Sequence, residues 1–133
     1  MSAVTASLCS TLMFVVFVCA DAQQQAESGQ NITLTCRAPN INNTAVRWSR
    51  ADLGKNYVLL YRDGHFHSDD QHPSFKNRVD LQDRQMKDGD VSLILNNVTI
   101  NDTGTNECVD IPRGGGSSKL ISIIYLHVVP PGE

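Results

Sequence analysis

Few residues in this sequence have chemistry to offer. Four cysteines, Cys9, Cys19, Cys36 and Cys108, carry the thiols, and a thiol forms a disulfide, binds a soft metal or acts as a nucleophile according to its compartment and neighbours. His65, His67 and His72 lie close in sequence to Asp69 and Asp70. Zinc would demand three of these in an ordered geometry with a supporting second shell, so a solvated loop is the expectation, with no metal and no other cofactor. Gly114-Gly115-Gly116 shares only composition with phosphate-cradling loops, which lead from a strand into a helix; the segment after these glycines reads as a strand. No Ser or Cys has a base and an orienting group in its vicinity, and no carboxylate pair is set apart by environment. A non-enzymatic protein without a small-molecule substrate is expected. Four tripeptides match the N-glycosylation acceptor, beginning at Asn31, Asn42, Asn97 and Asn101.

Compartment decides what the cysteines do. An apolar run from Leu12 to Ala20 precedes the small-residue pattern Ala20-Asp21-Ala22 and a glutamine stretch, which reads as a signal peptide over residues 1–22, cleaved after Ala22. The apolar run is too short to span a bilayer comfortably, since a spanning helix needs about 20 residues. Cleavage removes Cys9 and Cys19 and leaves Cys36 and Cys108, for which an oxidising compartment favours a disulfide. The rest of the chain has room for one domain, residues 23–129, with a short tail at 130–133. A secreted product is expected, or an external plasma-membrane location if the chain is a fragment of a longer receptor. The 11 Lys and Arg against 14 Asp and Glu give a formal charge of −3, and the basic residues are scattered, so no nucleic-acid partner is expected.

The elements that must position these residues are strands. From Gly29 onward the pattern is of short alternating segments separated by turn residues, with no helical period held for three turns. In NITLTC, Ile32, Leu34 and Cys36 share one face; in AVRWSR, Val46 and Trp48 do so. YVLLY at 57–61 ends at the Asp63-Gly64 turn signal. FKNRVDL at 75–81 follows Pro73, and VSLIL at 91–95 opens after Asp88-Gly89-Asp90 with Val91, Leu93 and Leu95 on one face. TNECVD carries Cys108, and LISIIYLHVV at 120–129 closes the pattern before Pro130 and Pro131. Half-buried antiparallel strands at this spacing need a second sheet over their apolar sides, which predicts an all-β, two-sheet sandwich with Cys36 facing Cys108 and a closed barrel as the alternative.

In order and spacing, Cys36, Trp48, Leu93-x-Leu95, Asp102-x-Gly104 and Cys108 resemble the variable-set immunoglobulin signature. Among such domains the segment between YVLLYRDG and Cys108 looks most like the butyrophilin and myelin-oligodendrocyte-glycoprotein group and the related costimulatory ligands of T cells. The resemblance implies a V-type Greek-key sandwich with Trp48, Leu93 and Leu95 in its core. It also implies an ion pair between Arg78, in the fourth strand, and Asp102, closing one end. Two family features are missing. Asn106 stands where a core tyrosine normally precedes the second cysteine, and by strand parity it faces inward with Cys108. The last strand lacks the Phe-Gly-x-Gly bulge motif of antigen-receptor domains, which argues for a ligand-type member.

In resembling domains, partners dock on the sheet formed by the last two strands and the two middle ones, or on the loops at its end. Outward parity assigns Arg47, Ser49, Glu107, Val109, Ile123 and Tyr125 to that face, and Tyr57 and Tyr61 of the third strand are assigned with them. The resemblance implies that this patch binds a cell-surface protein receptor on lymphocytes and modulates T-cell responses. The alternatives are a homophilic adhesion domain, forming a homodimer through the same patch, and a soluble decoy or truncated product of a larger receptor.

Overall fold

The computed structural model describes residues 21–38, 45–112 and 116–132. The expected signal peptide lies almost wholly outside the described residues, as do Cys9, Cys19, the Asn42 acceptor, Gly114 and Gly115. Among the described residues, nine strands form two sheets. In chain order they are β1 (Asp21–Glu27), β2 (Ile32–Leu34), β3 (Ala45–Arg50), β4 (Leu59–Arg62), β5 (His65–His67), β6 (Val79–Leu81), β7 (Leu93–Leu95), β8 (Gly104–Ile111) and β9 (Lys119–Val129). One sheet runs β1-β9-β8-β3-β4-β5 and the other β2-β7-β6. The chain is therefore an all-β, V-type sandwich, as the resemblance implied.

The period-two patterns become the core. Ile32, Leu34 and Cys36 are buried from one sheet, and Val46, Trp48 and Cys108 from the other, together with Leu93 and Leu95 of β7. Cys36 and Cys108 are joined by a disulfide across the sheets. Trp48 is the register partner of Cys108, and its indole Nε1–H donates to the Val91 carbonyl at 2.9 Å, so the same residue that fills the space beside the disulfide also ties the two sheets by a hydrogen bond. A buried indole needs that partner, because an unpaired N–H costs about 1–3 kcal/mol.

Turn chemistry works as the sequence indicated at Asp63-Gly64. Both residues have positive φ, 55° and 77°, which is the two-residue turn that matches strand twist. It joins β4 to β5 as a hairpin, so His65 and His67 lie on a strand and not in the loop expected for them. Several strands are shorter than expected, β2 and β7 among them. Residues 57–58 precede β4, and the 75–81 segment forms a strand only over Val79–Leu81, because Pro73–Phe75 make a helical turn and Asn77 sits at φ 63°. Arg78 is therefore placed just ahead of β6 and not within a strand. β1 carried no alternation to announce it: of residues 22–27 it buries Ala26 alone, and it is held by parallel pairing along β9 from Asp21↔Ile123 to Glu27↔Val129. Cleavage after Ala22 would remove the first two residues of this strand.

The end of the sandwich is closed by charge. The Arg78 guanidinium meets both Asp102 carboxylate oxygens, Nη1 donating to Oδ1 at 3.3 Å and Nη2 to Oδ2. It also donates to the carbonyls of Ser74, Asn96 and Asn97. Asp102 is buried and additionally accepts from the Thr99 N–H at 2.9 Å. Beneath lies the buried Phe75 ring, with the guanidinium carbons of Arg78 and Arg50 at 5.7 and 6.0 Å from its centroid. Asn106 is also buried, and its Nδ2 donates to the Gly104 carbonyl at 3.2 Å. The amide in the usual tyrosine position thus uses local backbone as its partner.

Replacing both cysteines, Cys36→Ala with Cys108→Ala, is expected to lower unfolding free energy by roughly 4 kcal/mol, the loop-entropy value for a closure of this length. Chemical denaturation of the two forms measures it. In the same assay Asp102→Ala should cost about 3 kcal/mol, because Arg78 would keep its charge in a half-buried site without its forked acceptor.

Candidate recognition surface

Because Val46 and Trp48 point inward, Arg47 and Ser49 of β3 must point away from the core. The register then lines up two rows across the outer face of the six-stranded sheet. Leu60 of β4, Arg47, Val109 of β8 and Leu120 of β9 stand side by side in one row. Ser49, Glu107 and Ile123 form the other. Nearer the end closed by the Arg78–Asp102 pair, Tyr125 faces Thr105 on one side and Gln23 of β1 on the other.

The register between β8 and β9 shifts once. Cys108 pairs with Ser122 but Val109 pairs with Leu120, so Ile121 is an extra residue and the strand bulges there without the Phe-Gly-x-Gly motif. The shift reverses parity beyond it. Ile121 packs against the core, and Leu120 turns to the outer face, where it is 49% exposed.

Five of the eight residues assigned to this face lie on it with accessible surface: Arg47, Ser49, Glu107 and Ile123 are half-buried, and Tyr125 is 41% exposed. Three do not. Val109 points outward but is only 6% exposed, flanked in its row by the long side chains of Arg47 and Leu120. Tyr61 is 7% exposed and belongs to the core, because in YVLLY it is Leu60 that takes the outward position opposite Arg47. Tyr57 is 5% exposed and precedes β4; its N–H donates to the Asp70 carbonyl at 3.0 Å and its hydroxyl accepts from the Asp70 N–H. Sequence reasoning missed Leu60 and Leu120. An unbroken apolar run hides which alternate is outward, and a bulge has no signature without its glycine.

Tyr61 is held inward by a chain of contacts at the β5 edge. Its ring packs on Phe66 at 4.7 Å between centroids, and the Arg84 guanidinium stands 5.1 Å over Phe66. Asp80 accepts from Arg84 at 3.0 Å twice, and that hydrogen bonding holds the Asp80 carboxyl below the usual carboxylate range and raises the guanidinium's pKa further. The pair's contribution is present above the ordinary carboxylate pKa and fades as pH falls through the lowered folded value.

Beside the outer rows lies a shallow cleft lined by Arg47, Ser49, Arg50, Lys55, Asn56 and Glu107. Arg50 is engaged with Asp52, Nε to Oδ1 at 2.9 Å, which lowers the Asp52 pKa mainly through that hydrogen bond. The face therefore combines apolar side chains with a basic and an acidic group, a composition suited to protein contact. His67 Nε2 is near the Arg62 carbonyl and His72 Nδ1 near the Ser74 hydroxyl. Among the described residues no three His, Cys, Asp or Glu side chains come together as a metal site, and no helix is long and apolar enough to cross a membrane.

Residues 20–128 match the immunoglobulin V-set domain model. Human butyrophilin subfamily 2 member A2 is 28% identical over 83 residues, 60% of this chain and 16% of that protein. Mouse programmed cell death 1 ligand 1 is 28% identical over 102 residues, 73% of this chain and 34% of that protein. The chain thus spans no more than about a third of either relative. A crystal structure of ICOS in complex with ICOS-L and an anti ICOS-L VNAR domain aligns with a TM-score of 0.69 at 24% identity, over 81% of this chain and 54% of the other.

Tyr61→Ala is expected to destabilise the domain by about 3–4 kcal/mol, as for other buried aromatic truncations, whereas Tyr125→Ala should change stability by less than about 0.5 kcal/mol. Thermal and urea unfolding of the two variants test the placement of one tyrosine in the core and the other on the face.

Proposed function

The chain belongs to the immunoglobulin V-set family, and from that premise we propose that it is a non-enzymatic, immune-type recognition domain that binds a cell-surface protein receptor on lymphocytes and modulates T-cell responses. It works outside the cell, secreted or on the external face of the plasma membrane, after cleavage of the residues 1–22 signal peptide. The observation that carries this reading is the outer face of the six-stranded sheet, where Leu60, Leu120, Ile123 and Tyr125 surround Arg47 and Glu107. Apolar side chains standing out of a sheet otherwise solvated cost little in the monomer and are rewarded only when a partner covers them. The presence of ligand-type proteins among its relatives supports a protein partner.

The experiment is a binding screen of the disulfide-bonded domain against lymphocyte receptors displayed on cells. For a receptor so found, Glu107→Arg combined with Tyr125→Ala should weaken binding by at least about thirtyfold, the loss of roughly 2 kcal/mol that defines an interface hot spot. The thermal transition should stay in place, since both side chains point away from the core. Binding that survives this pair but disappears on deletion of residues 114–118 would move the contact to the loop between β8 and β9. Self-association in sedimentation that the same pair abolishes, with no receptor bound, would favour homophilic adhesion.

A further inference from the structure

Three of the acceptor tripeptides converge in space, the one at Asn31 joining two near residues 97–103 from a distant part of the sequence. The Asn31 side chain accepts from the Asn97 backbone N–H through Oδ1 at 2.8 Å. On either side the backbones cross, Gly29 N–H donating to the Val98 carbonyl at 2.7 Å and Val98 N–H to the Gln30 carbonyl at 2.9 Å. Asn101 lies in the adjoining helical turn, Ile100–Asp102. All three asparagines are exposed. Between Asn97 and Asn101 stands Ile100, 55% exposed, more than any other large apolar side chain exposed among the described residues. It lies outside the two rows of the outer face.

We propose that this end of the sandwich is a carbohydrate-bearing pole, with glycans on Asn31 and Asn97 and not on Asn101, and that the Asn97 glycan covers Ile100. The inference rests on the extracellular assignment proposed for the chain. In the transfer step, the bond from sugar C1 to the oxygen of a lipid-linked pyrophosphate donor breaks and a bond from C1 to the asparagine Nδ2 forms. The lipid pyrophosphate leaves with the bonding pair, and one amide proton passes to base. Among the described residues Asn31 is engaged through Oδ1 alone, which leaves its Nδ2 to carry the sugar without loss of the contact to Asn97. Asn97 itself sits at φ 51° in an exposed turn, with only its backbone engaged. The middle residue is apolar in the first two tripeptides, Ile32 and Val98, but in the third it is Asp102. A carboxylate next to the acceptor amide disfavours a transfer whose leaving group is an anion, which sets Asn101 apart from the other two. Sugar rings present C–H faces that can lie on an aliphatic side chain, which accounts for an isoleucine left bare at this pole.

The test uses the full chain expressed in an animal cell line and mapped by mass spectrometry after enzymatic glycan release in heavy-oxygen water, which marks each formerly glycosylated asparagine. Marks on Asn31 and Asn97 with Asn101 unmarked are expected. A Cys36–Cys108 bridge accompanied by an unmarked Asn31 or Asn97, or by a marked Asn101, overturns the assignment. Free cysteines together with bare asparagines overturn the extracellular reading along with it. Hydroxyl-radical footprinting of the wild-type protein before and after glycan release reads the covering directly. Oxidation of Ile100 should rise several-fold on release while Leu120 is unchanged, and an unchanged Ile100 would refute the contact.

Discussion

The two sheets are fastened at one place, and the position of every outward side chain depends on it. Cys36, just beyond β2, is bonded to Cys108 at the middle of β8, with Trp48 of β3 in register beside it. The indole reaches from its own sheet to the Val91 carbonyl beside the other. Because strand side chains alternate, fixing Trp48 and Cys108 inward fixes Arg47, Ser49 and Glu107 outward, and a slip of one residue would exchange the two sets. The recognition surface is thus determined from within. A covalent bond and a hydrogen-bonded indole resist such a slip better than apolar contact alone, since apolar contact is indifferent to which aliphatic neighbour provides it.

At the pole carrying the three acceptors a different kind of closure operates. Asp102 is a buried charge, tolerable only because its lone pairs are used: both oxygens face the Arg78 fork, and one also serves the Thr99 N–H. Arg78 in turn gathers carbonyls from Ser74, Asn96 and Asn97, so one side chain organises the loops that meet there. Asn106 shows that the family's usual tyrosine is not the sole solution at its position. A short amide bonded to Gly104 suffices for its polar group, and Phe75, flanked by Arg50 and Arg78, is another large ring in this part of the molecule.

The outer face depends on irregularity as well as on alternation. In an unshifted register Ile121 would stand opposite Val109 on the outer face and Leu120 would point inward. The bulge puts Leu120 in that place in the apolar row and brings Ile121 to the core. The sheet's edges are treated differently at the two sides. β1 presents a polar, glutamine-rich strand, while the three-residue β5 is pinned by Phe66, Arg84 and Asp80. Short or polar edges discourage unwanted strand pairing.

From its sequence alone the chain determined its class and its core. Period-two alternation, the Asp63-Gly64 turn and the ordered cysteines and tryptophan are local signals, each readable over a few residues, and together they specified an all-β sandwich with Cys36, Trp48, Leu93 and Leu95 inside. The inward position of Asn106 and the outward positions of Arg47, Glu107 and Tyr125 were legible for the same reason. What only the tertiary structure decided were features without a local signature. β1 is a strand because β9 pairs with it, since its own residues have no apolar face to bury. Tyr61 is a core residue because four apolar neighbours in sequence leave parity undetermined until Trp48 and Arg47 pair with them. Leu120 reaches the surface through a one-residue shift in register that no residue type requires, and Asn31 meets Asn97 because the ends of β2 and β7 are brought together by the pairing of those strands. Alternation fixes which side of its own strand a residue takes; pairing and register fix which residues become neighbours.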